Sequence, residues 1–459
     1  MGYLKGAKLT VKVVKSSTKA IRDPKDDPFL KREVEHPTTD LETLIHLAKG
    51  SLGTGVLAMP FAFSNAGLGL GIIGTLVIGL VCTHCVHILV KCAHELCWRH
   101  GIPSLDFADL AEETFKKGPP EFRKGATFAR ILIQILIVVV ALGACCVYIV
   151  FVSSNLQQVI DFFTGSEINM IFYILMVTAV MIALCMIRNL RILSPLSLLS
   201  NVLFLASVGI VFYYVFQDLP SVEEREAFMS ITKLPVFFST AVFALEGITV
   251  VMPLENNMKT PRNFIGCFRV LNTAMTLIVC IYALVGFMGY LKYGEEVEGS
   301  ISLNLPEGEI PAQIAQIMLS VAVGLTYPLQ FYCAMEFTWP SLNGFLKRKA
   351  PAFSGLKGEY IYRVLLVLLT MAIAIAIPNL SALMGLIGAV CLSTVGLMFP
   401  AIVETVVFWQ DWGWGNWKLV KNIIIFVFGI TGFATGLYTS ILDLIASFSG
   451  EEEKALLLL

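Results

Sequence analysis

An apolar run over residues 41–63 is long enough to cross a lipid bilayer, yet three glycines interrupt its middle within six residues. A spanning helix needs about 20 apolar residues, and each glycine in a helix interior costs about 1 kcal/mol relative to alanine. The sequence therefore predicts a spanning helix that is broken near its centre. At membrane depth such backbone persists only where protein or a cavity surrounds it. Its free N–H and C=O groups can then bind a zwitterion or an ion.

Two interpretations of this broken run differ in function. Small residues also line close helix–helix contacts, which would give the glycines a purely structural role. The stretch Gly-Ser-Leu-Gly-Thr-Gly over residues 50–55 is denser in small residues than such a contact needs, and His46 and Lys49 lie beside it. These features favour a binding site.

The composition is that of a helical membrane protein. Of the 459 residues, 56% are hydrophobic and 15% are charged, whereas soluble domains carry about 25% charged residues. The formal net charge of −1 argues against a nucleic-acid partner. The 11 cysteines lie mostly in apolar runs without metal-site spacing, so we expect neither a metal nor a cofactor. No nucleophile–base set lies in a soluble pocket, so we do not expect an enzyme.

The hydropathy pattern predicts an all-α polytopic protein with eleven spanning helices. Residues 1–40 are polar and basic, and we expect a disordered cytosolic tail without a cleavable signal peptide. Residues 41–446 would form the transmembrane domain and residues 447–459 a short C-terminal tail. Residues 104–115 predict an amphipathic helix on the cytosolic surface. The approximate spans are 41–64, 69–93, 127–155, 168–187, 192–216, 234–256, 264–290, 311–337, 359–377, 380–408 and 419–446, with a tight turn at Pro378 between the ninth and the tenth.

Charges in the connecting loops predict the orientation. Lysines and arginines concentrate in the loops after the even-numbered spans, whereas the loops after spans 5 and 7 carry acidic clusters. By the positive-inside rule the N-terminus is cytosolic, and an odd number of spans leaves the C-terminal tail extracellular or lumenal. The acidic dileucine pattern over residues 452–457 would then lie out of reach of cytosolic sorting adaptors.

The sixth span repeats the glycine pattern of the first. Residues 55–60 read Gly-Val-Leu-Ala-Met-Pro, and residues 247–253 read Gly-Ile-Thr-Val-Val-Met-Pro. Each copy would open a half of five spans, and the two halves enter the membrane in opposite senses because five is odd. The sequence therefore predicts a 5+5 inverted repeat with broken helices 1 and 6 plus one extra helix, the plan of many secondary transporters.

Four stretches carry a family resemblance. They are residues 44–55 (Leu-Ile-His-Leu-Ala-Lys-Gly-Ser-Leu-Gly-Thr-Gly), 65–67 (Asn-Ala-Gly), 243–247 (Phe-Ala-Leu-Glu-Gly) and 253–259 (Pro-Leu-Glu-Asn-Asn-Met-Lys). Over nearly the whole chain after residue 40, the sequence resembles the proton-coupled amino acid transporters, within the amino acid/auxin permease group of the leucine-transporter-like fold. The resemblance implies import, or lysosomal export, of small neutral amino acids such as glycine, alanine and proline together with a proton. It implies a location in the plasma membrane or in the late endosomal and lysosomal membrane.

The residues around the two breaks are the predicted substrate site. The second half-helix of span 1 would offer unpaired N–H groups and the positive end of its dipole to the substrate carboxylate. The first half-helix of span 6 would offer carbonyl groups to the ammonium group, and Phe243 could act as an apolar gate. The predicted substrate-binding residues are Gly50, Ser51, Leu52, Gly53, Thr54, Gly55, Phe243, Ala244, Glu246 and Gly247.

His46 and Glu246 are the predicted proton carriers. His46 lies one turn before Gly50 on the same helix face, and histidine changes its charge near neutral pH. The resemblance places the essential histidine of the family here, although a merely packed histidine is the alternative. Glu246 could hold the proton, bind the ammonium group or form a structural ion pair with Lys49. Lys49 either supplies a fixed charge where relatives in the wider fold bind sodium, or extends to the membrane surface.

Two alternative functions would use the same pocket. One is an amino-acid-sensing, transporter-like receptor with little flux, since some insect members of the resembling family look like slow carriers that also feed growth signalling. The other is a sodium-coupled or facilitative amino acid carrier. A channel is disfavoured, because the sequence contains no repeated pore loop or ring of like charges.

Overall fold

A computed structural model of the protein describes residues 27–32, 34, 37–188, 190–245, 247–409 and 411–449. The described chain folds as α-helices joined by turns and by longer loops that contain 3₁₀ turns, and a π-helical segment, Gly388–Met398, joins α13 to α14. The helices are α1 (Asp40–Ser51), α2 (Thr54–Ala66), α3 (Leu68–His100), α4 (Phe107–Lys116), α5 (Ala126–Thr164), α6 (Met170–Cys185), α7 (Leu190–Val215), α8 (Leu234–Ala244), α9 (Ile248–Asn256), α10 (Val270–Tyr293), α11 (Ile310–Lys349), α12 (Gly355–Ala376), α13 (Leu380–Ile387), α14 (Phe399–Val407) and α15 (Trp417–Ser449).

Nine helical runs within the described residues are long and apolar enough to cross a membrane. α6 is a shorter apolar helix, and α1 and α2 share the first predicted span. The predicted class, an all-α polytopic membrane protein, is confirmed, while the count of eleven spans stays a prediction. The nine runs are Leu68–His100, Arg123–Thr164, Pro195–Val215, Ile231–Asn256, Val270–Glu296, Ile310–Lys349, Gly355–Ala376, Leu380–Val407 and Trp414–Ile445.

Side-chain caps determine where two of these helices begin. At the start of α1, the Thr39 hydroxyl accepts a hydrogen bond from the Glu42 N–H at 3.3 Å, and the Glu42 carboxylate accepts one from the Thr39 N–H at 2.8 Å. This reciprocal pair is a capping box. At the start of α13, Asn379 accepts from the Ala382 N–H at 3.1 Å. Only residues 377–379 separate α12 from α13, so the tight turn predicted at Pro378 is present.

The short helix α2 lies in the middle of the bundle. It is apolar all round and nearly all its residues are buried, as expected for a helix surrounded by protein. It packs against α8 and α10, while α11 packs along α5 and α7, and α15 packs along the π-helical segment. The start of α2, at Thr54 and Gly55, is therefore buried among other helices.

α4 is the predicted amphipathic helix, and its apolar face packs on protein. Phe107, Ala108 and Ala111 are buried, and the helix lies against α5 and α14. Arg130 of α5 fixes its position by ion pairs with Glu112 at 2.5 Å and Asp109 at 2.9 Å. α4 thus packs on two helices of the bundle, α5 and α14.

Candidate functional site

The first break consists of two non-helical residues. α1 ends at Ser51 and α2 begins at Thr54; between them Leu52 has φ −81° and ψ 83°, and Gly53 has φ −121° and ψ −152°. The first N–H groups of a helix have no intrahelical acceptor, and Gly53, at the N-cap of α2, supplies no side-chain cap. The start of α2 therefore presents N–H donors and the positive end of a helix dipole.

The second break separates α8 from α9. α8 ends at Ala244 and α9 begins at Ile248, with Leu245 (φ −81°, ψ 4°) and Gly247 (φ −136°, ψ 8°) between them. Carbonyl groups at the end of a helix lack intrahelical donors and can accept hydrogen bonds from other groups. Glu246, a predicted ligand and proton carrier, lies outside the described residues.

The two breaks are in direct contact. A Cβ atom built on Gly55 would lie 2.6 Å from the Cα atom of Ala244, and one built on Gly247 would lie 2.5 Å from the hydroxyl of Ser51. A larger residue at Gly55 would have to push the two broken helices apart, because it would meet the backbone of Ala244, whereas one at Gly247 would displace the Ser51 hydroxyl. A Cβ atom on Gly53 would meet no atom within 4 Å, so the chain faces open space there.

Ser51 is the polar side chain enclosed between the breaks. The residue is 4% exposed, and within the described part of the chain its hydroxyl has no hydrogen-bond partner. A buried polar group without a partner costs about 1–3 kcal/mol. The hydroxyl is therefore available to a ligand or a water molecule that enters between α1 and α9.

Tyr282 of α10 supports the first break, and sequence reasoning missed it. Its buried hydroxyl donates a 2.6 Å hydrogen bond to the carbonyl of Ser51, the last residue of α1, which also accepts from the Gly53 N–H at 3.1 Å. The only signal in the sequence is a tyrosine inside an otherwise apolar span.

The π-helical segment lines a small cavity beside the second break. The cavity has a volume of about 20 Å³ and apolar walls, to which Leu392, Gly396 and Leu397 contribute together with Gly247 and Leu47. One water-sized probe needs about 10–15 Å³, so the cavity is too small for an amino acid. The helices therefore pack closely beside the second break in this conformation. π-helical turns often mark functional positions, and the sequence did not predict this one.

His46 and Lys49 lie on the opposite face of α1 from Ser51. Thr43, Leu47 and Ser51 form the buried face of the helix, whereas His46 and Lys49 are exposed. Gly50 is exposed too and shares the face of His46, as predicted. The structure therefore brings together Ser51, Gly55, Ala244 and Gly247, and it places His46 next to the break but outside the contact.

Phe243 is only partly buried and points to the π-helical segment. A Cβ atom built on Gly388, in that segment, would lie 3.0 Å from the Cβ atom of Phe243. Phe243 thus lies at the junction of α8 and that segment, where it could form a wall of an enlarged pocket.

An N-terminal strap, residues 27–32, closes one end of the bundle. These residues belong to the tail that the sequence predicts to be disordered, but Pro28–Lys31 forms a 3₁₀ turn here. Arg32 pairs with Glu255 of α9 at 3.1 Å and donates to the Pro103 carbonyl at 2.6 Å. His94 of α3 also contacts Glu255, at 2.7 Å, and Glu255 is 1% exposed. The strap is held in place because Glu255 and the Pro103 carbonyl, both distant in sequence, pair with the buried guanidinium group of Arg32.

Further contacts anchor this end of the bundle. The Thr38 N–H donates to the Asn257 carbonyl and the Lys259 N–H to the Thr38 carbonyl, both at 2.9 Å. Phe29 packs on His94 with ring centroids 4.8 Å apart. The strap, α1 and α9 therefore form one connected unit at the end where α1 begins and α3 ends.

Replacing Arg32 with alanine is expected to loosen this closure. Removing one member of a buried ion pair costs about 3–5 kcal/mol, so reagents should reach the residues beneath the strap at least about tenfold faster. Cys97 is the reporter, because it is buried and adjoins Trp98, whose ring contacts Phe29 at 6.3 Å. Maleimide labelling of Cys97, followed by mass spectrometry in a background without the exposed Cys267 and Cys280, measures the effect.

The matched control for this experiment is Lys116→Ala, which removes an exposed ion pair with Glu113 at the surface. Labelling of Cys97 should be unchanged in that variant. Equal labelling rates in Arg32→Ala and in the unmodified protein would mean that the Arg32–Glu255 pair does not hold the closure.

Among the described residues, no group of three or more histidine, cysteine or acidic side chains lies close enough together to hold a metal ion.

Comparison with known proteins identifies the class. The family model described as transmembrane amino acid transporter protein matches residues 36–442, and the chain belongs to this family. It is 43% identical over 428 residues to the "Proton-coupled amino acid transporter-like protein pathetic" of Drosophila melanogaster, covering 93% of this chain and 89% of that protein. It is 26% identical over 424 residues to the "Probable amino acid transporter skat-1" of Caenorhabditis elegans, covering 90% and 91%. These relatives are named as transporters, and the chain is not an enzyme.

Among solved structures, the chain is similar to the inward-facing conformation of Mhp1, with a TM-score of 0.48 and 13% identity over 90% of this chain and 93% of that one. It is also similar to MhsT in complex with L-phenylalanine, with a TM-score of 0.44 and 14% identity over 88% and 97%.

Proposed function

We propose that this protein is a secondary active transporter that carries small neutral amino acids together with protons by alternating access. The observation that carries the proposal is the contact between two helix breaks, which encloses the unpaired Ser51 hydroxyl and leaves open space at Gly53. Helix ends that meet inside a bundle supply donors and acceptors for both ends of a zwitterion. Membership of an amino acid transporter family agrees with this chemistry.

In the proposed complex, the substrate carboxylate lies at the start of α2. Gly53 leaves room for it, and the N–H groups of Thr54 and Gly55 point their donors and the helix dipole toward it. The ammonium group lies at the end of α8, near the carbonyl groups of Ala244 and Leu245. The contact between Gly55 and Ala244 keeps the two ends close together, which suits glycine, alanine and proline.

His46 and Glu246 are the proposed proton carriers. His46 is accessible on α1 next to the first break, and an imidazole ring can bind and release a proton. The printed name of the Drosophila relative, a proton-coupled amino acid transporter-like protein, supports the choice of ion.

The proposed architecture has eleven spans in a 5+5 inverted repeat, with α15 added after the second half. The end closed by the strap would face the cytosol, because the loops at that end carry most of the lysines and arginines. The closed strap then corresponds to a state shut toward the cytosol. We place the protein in the plasma membrane or the late endosomal and lysosomal membrane, with an extracellular or lumenal C-terminus.

Competition for uptake tests the proposed substrate class. Unlabelled alanine should inhibit the uptake of labelled alanine, and glutamate should inhibit it at least about a hundredfold more weakly. The reason is that no arginine lies among the residues of the two breaks to bind a second carboxylate, and an unpaired buried charge costs several kcal/mol. Stronger inhibition by glutamate than by alanine would contradict the assignment.

A further inference from the structure

A groove on the outside of the bundle lies between α3, α10, α14 and α15. Its volume is about 540 Å³, and its walls are mostly apolar. It lies apart from the contact between the two breaks, but Met275 of α10 lines both this groove and the small cavity beside Gly247. A molecule in the groove would therefore pack behind the helices that surround the proposed substrate site.

Three basic side chains of α3 line this groove. His84, His87 and Lys91 recur at three- and four-residue intervals and so share one helix face. Ionisable residues in a spanning helix are costly and usually functional. The groove also contains Lys421 of α15 and Glu404 of α14, which form a 2.5 Å ion pair with Glu404 only 3% exposed.

The charge that remains in the groove is positive. Lys421 and Glu404 neutralise one another, whereas Lys91 forms no ion pair within the described residues and lies over the Phe408 ring at 5.5 Å. One uncompensated ammonium group and two imidazole rings therefore face a space without a free acidic side chain from any of its four helices. This arrangement suits an anion.

Polarity changes along the groove in the way that it changes across a membrane leaflet. Leu76 and Leu80, at one end, are apolar and exposed, and Lys91 lies at the other end. Leu76 and Lys91 are about 22 Å apart along α3 at 1.5 Å per residue, which is about half the thickness of a bilayer with its headgroups. Trp417 lines the groove near Lys421, and tryptophan is enriched at membrane–water interfaces.

We propose that this groove binds an anionic phospholipid, with its phosphate near His87 and Lys91 and its acyl chains along Leu76 and Leu80. Basic pockets between spanning helices bind acidic lipid headgroups, and the apolar walls account for the chains. The proposal does not depend on which amino acid is transported or on which ion drives transport.

Native mass spectrometry of the full-length protein with added phosphatidylserine or phosphatidylcholine tests the proposal. The protein should retain phosphatidylserine in preference to phosphatidylcholine. Lys91→Gln should weaken phosphatidylserine binding about fivefold, since one basic residue at the membrane surface contributes about that factor. The double variant His87→Gln/Lys91→Gln should weaken it further, and Lys91→Arg should restore it.

The matched control is Lys347→Gln, which removes an exposed lysine of α11 at the same end of the bundle and should leave lipid binding unchanged. Thermal unfolding of each variant verifies that it is folded. Equal retention of the two lipids, or equal phosphatidylserine binding by Lys91→Gln and Lys91→Arg, would overturn the proposal. So would displacement of the lipid by glycerophosphoserine alone, because the apolar walls would then contribute nothing, or displacement by alanine, because the groove would then be a substrate site.

Discussion

A valine at position 53 is expected to abolish amino acid uptake while the protein stays folded. Gly53 has extended backbone angles that valine adopts readily, and a Cβ atom there meets no atom within 4 Å. The added methyl groups would fill the space in which we place the substrate carboxylate. Loss of two charge-assisted hydrogen bonds, each worth about 1.5–3 kcal/mol, lowers uptake by about a hundredfold or more. Alanine uptake in proteoliposomes and thermal unfolding of the purified variant measure the two properties.

Gly55→Val is the comparison variant, because its side chain should affect stability as well as uptake. Its Cβ atom would lie 2.6 Å from the Cα atom of Ala244, so the side chain must separate α2 from α8. Such overpacking costs about 1–3 kcal/mol, and this variant should lose stability as well as uptake. Normal uptake by Gly53→Val would remove the argument that substrate binds at the start of α2.

Replacing His46 with alanine is expected to abolish accumulation driven by a pH gradient while substrate exchange persists. His46 lies on the exposed face of α1, whereas Ser51 lies on the buried face and forms the contact with Gly247. Removal of the imidazole therefore leaves the contact between the breaks intact and removes the group that we propose to carry the proton. Counterflow without a gradient measures exchange, and concentrative uptake with an inward proton gradient measures coupling.

Ile45→Ala, which shortens an exposed side chain of the same helix, is the control and should transport normally. If His46→Ala still concentrates alanine against its gradient, proton coupling belongs to another group, and Glu246 is then the residue to change.

The sequence was informative where the physical cause is local. Glycine density predicted the break at residues 52–53 because helix propensity acts within a turn. The repeated Gly and Met-Pro pattern indicated that residues 55 and 247 occupy corresponding places in two broken helices, and both glycines lie where these helices pack together. Hydropathy predicted the all-helical membrane class, because a bilayer leaves few alternatives to an apolar helix.

The missed features depend on contacts between distant parts of the chain. Arg32 and Glu255 are 223 residues apart, and Arg32 resembles every other basic residue of a polar tail until α9 places a buried carboxylate beside it. The Tyr282 hydroxyl can donate to a backbone carbonyl of α1 only because α10 packs against the end of that helix. The π-helical segment is composed of residues that would equally suit an α-helix, so nothing in its local sequence indicates a wider turn.

Uptake into proteoliposomes that contain only this protein tests the central claim most directly. Glycine, alanine, proline and tryptophan are offered with and without an inward proton gradient, in sodium-free buffer. We expect glycine, alanine and proline to accumulate above their external concentration only when the gradient is present, and tryptophan to accumulate far less. Accumulation that requires sodium, or the absence of both uptake and counterflow for all four amino acids, would contradict a proton-coupled transporter.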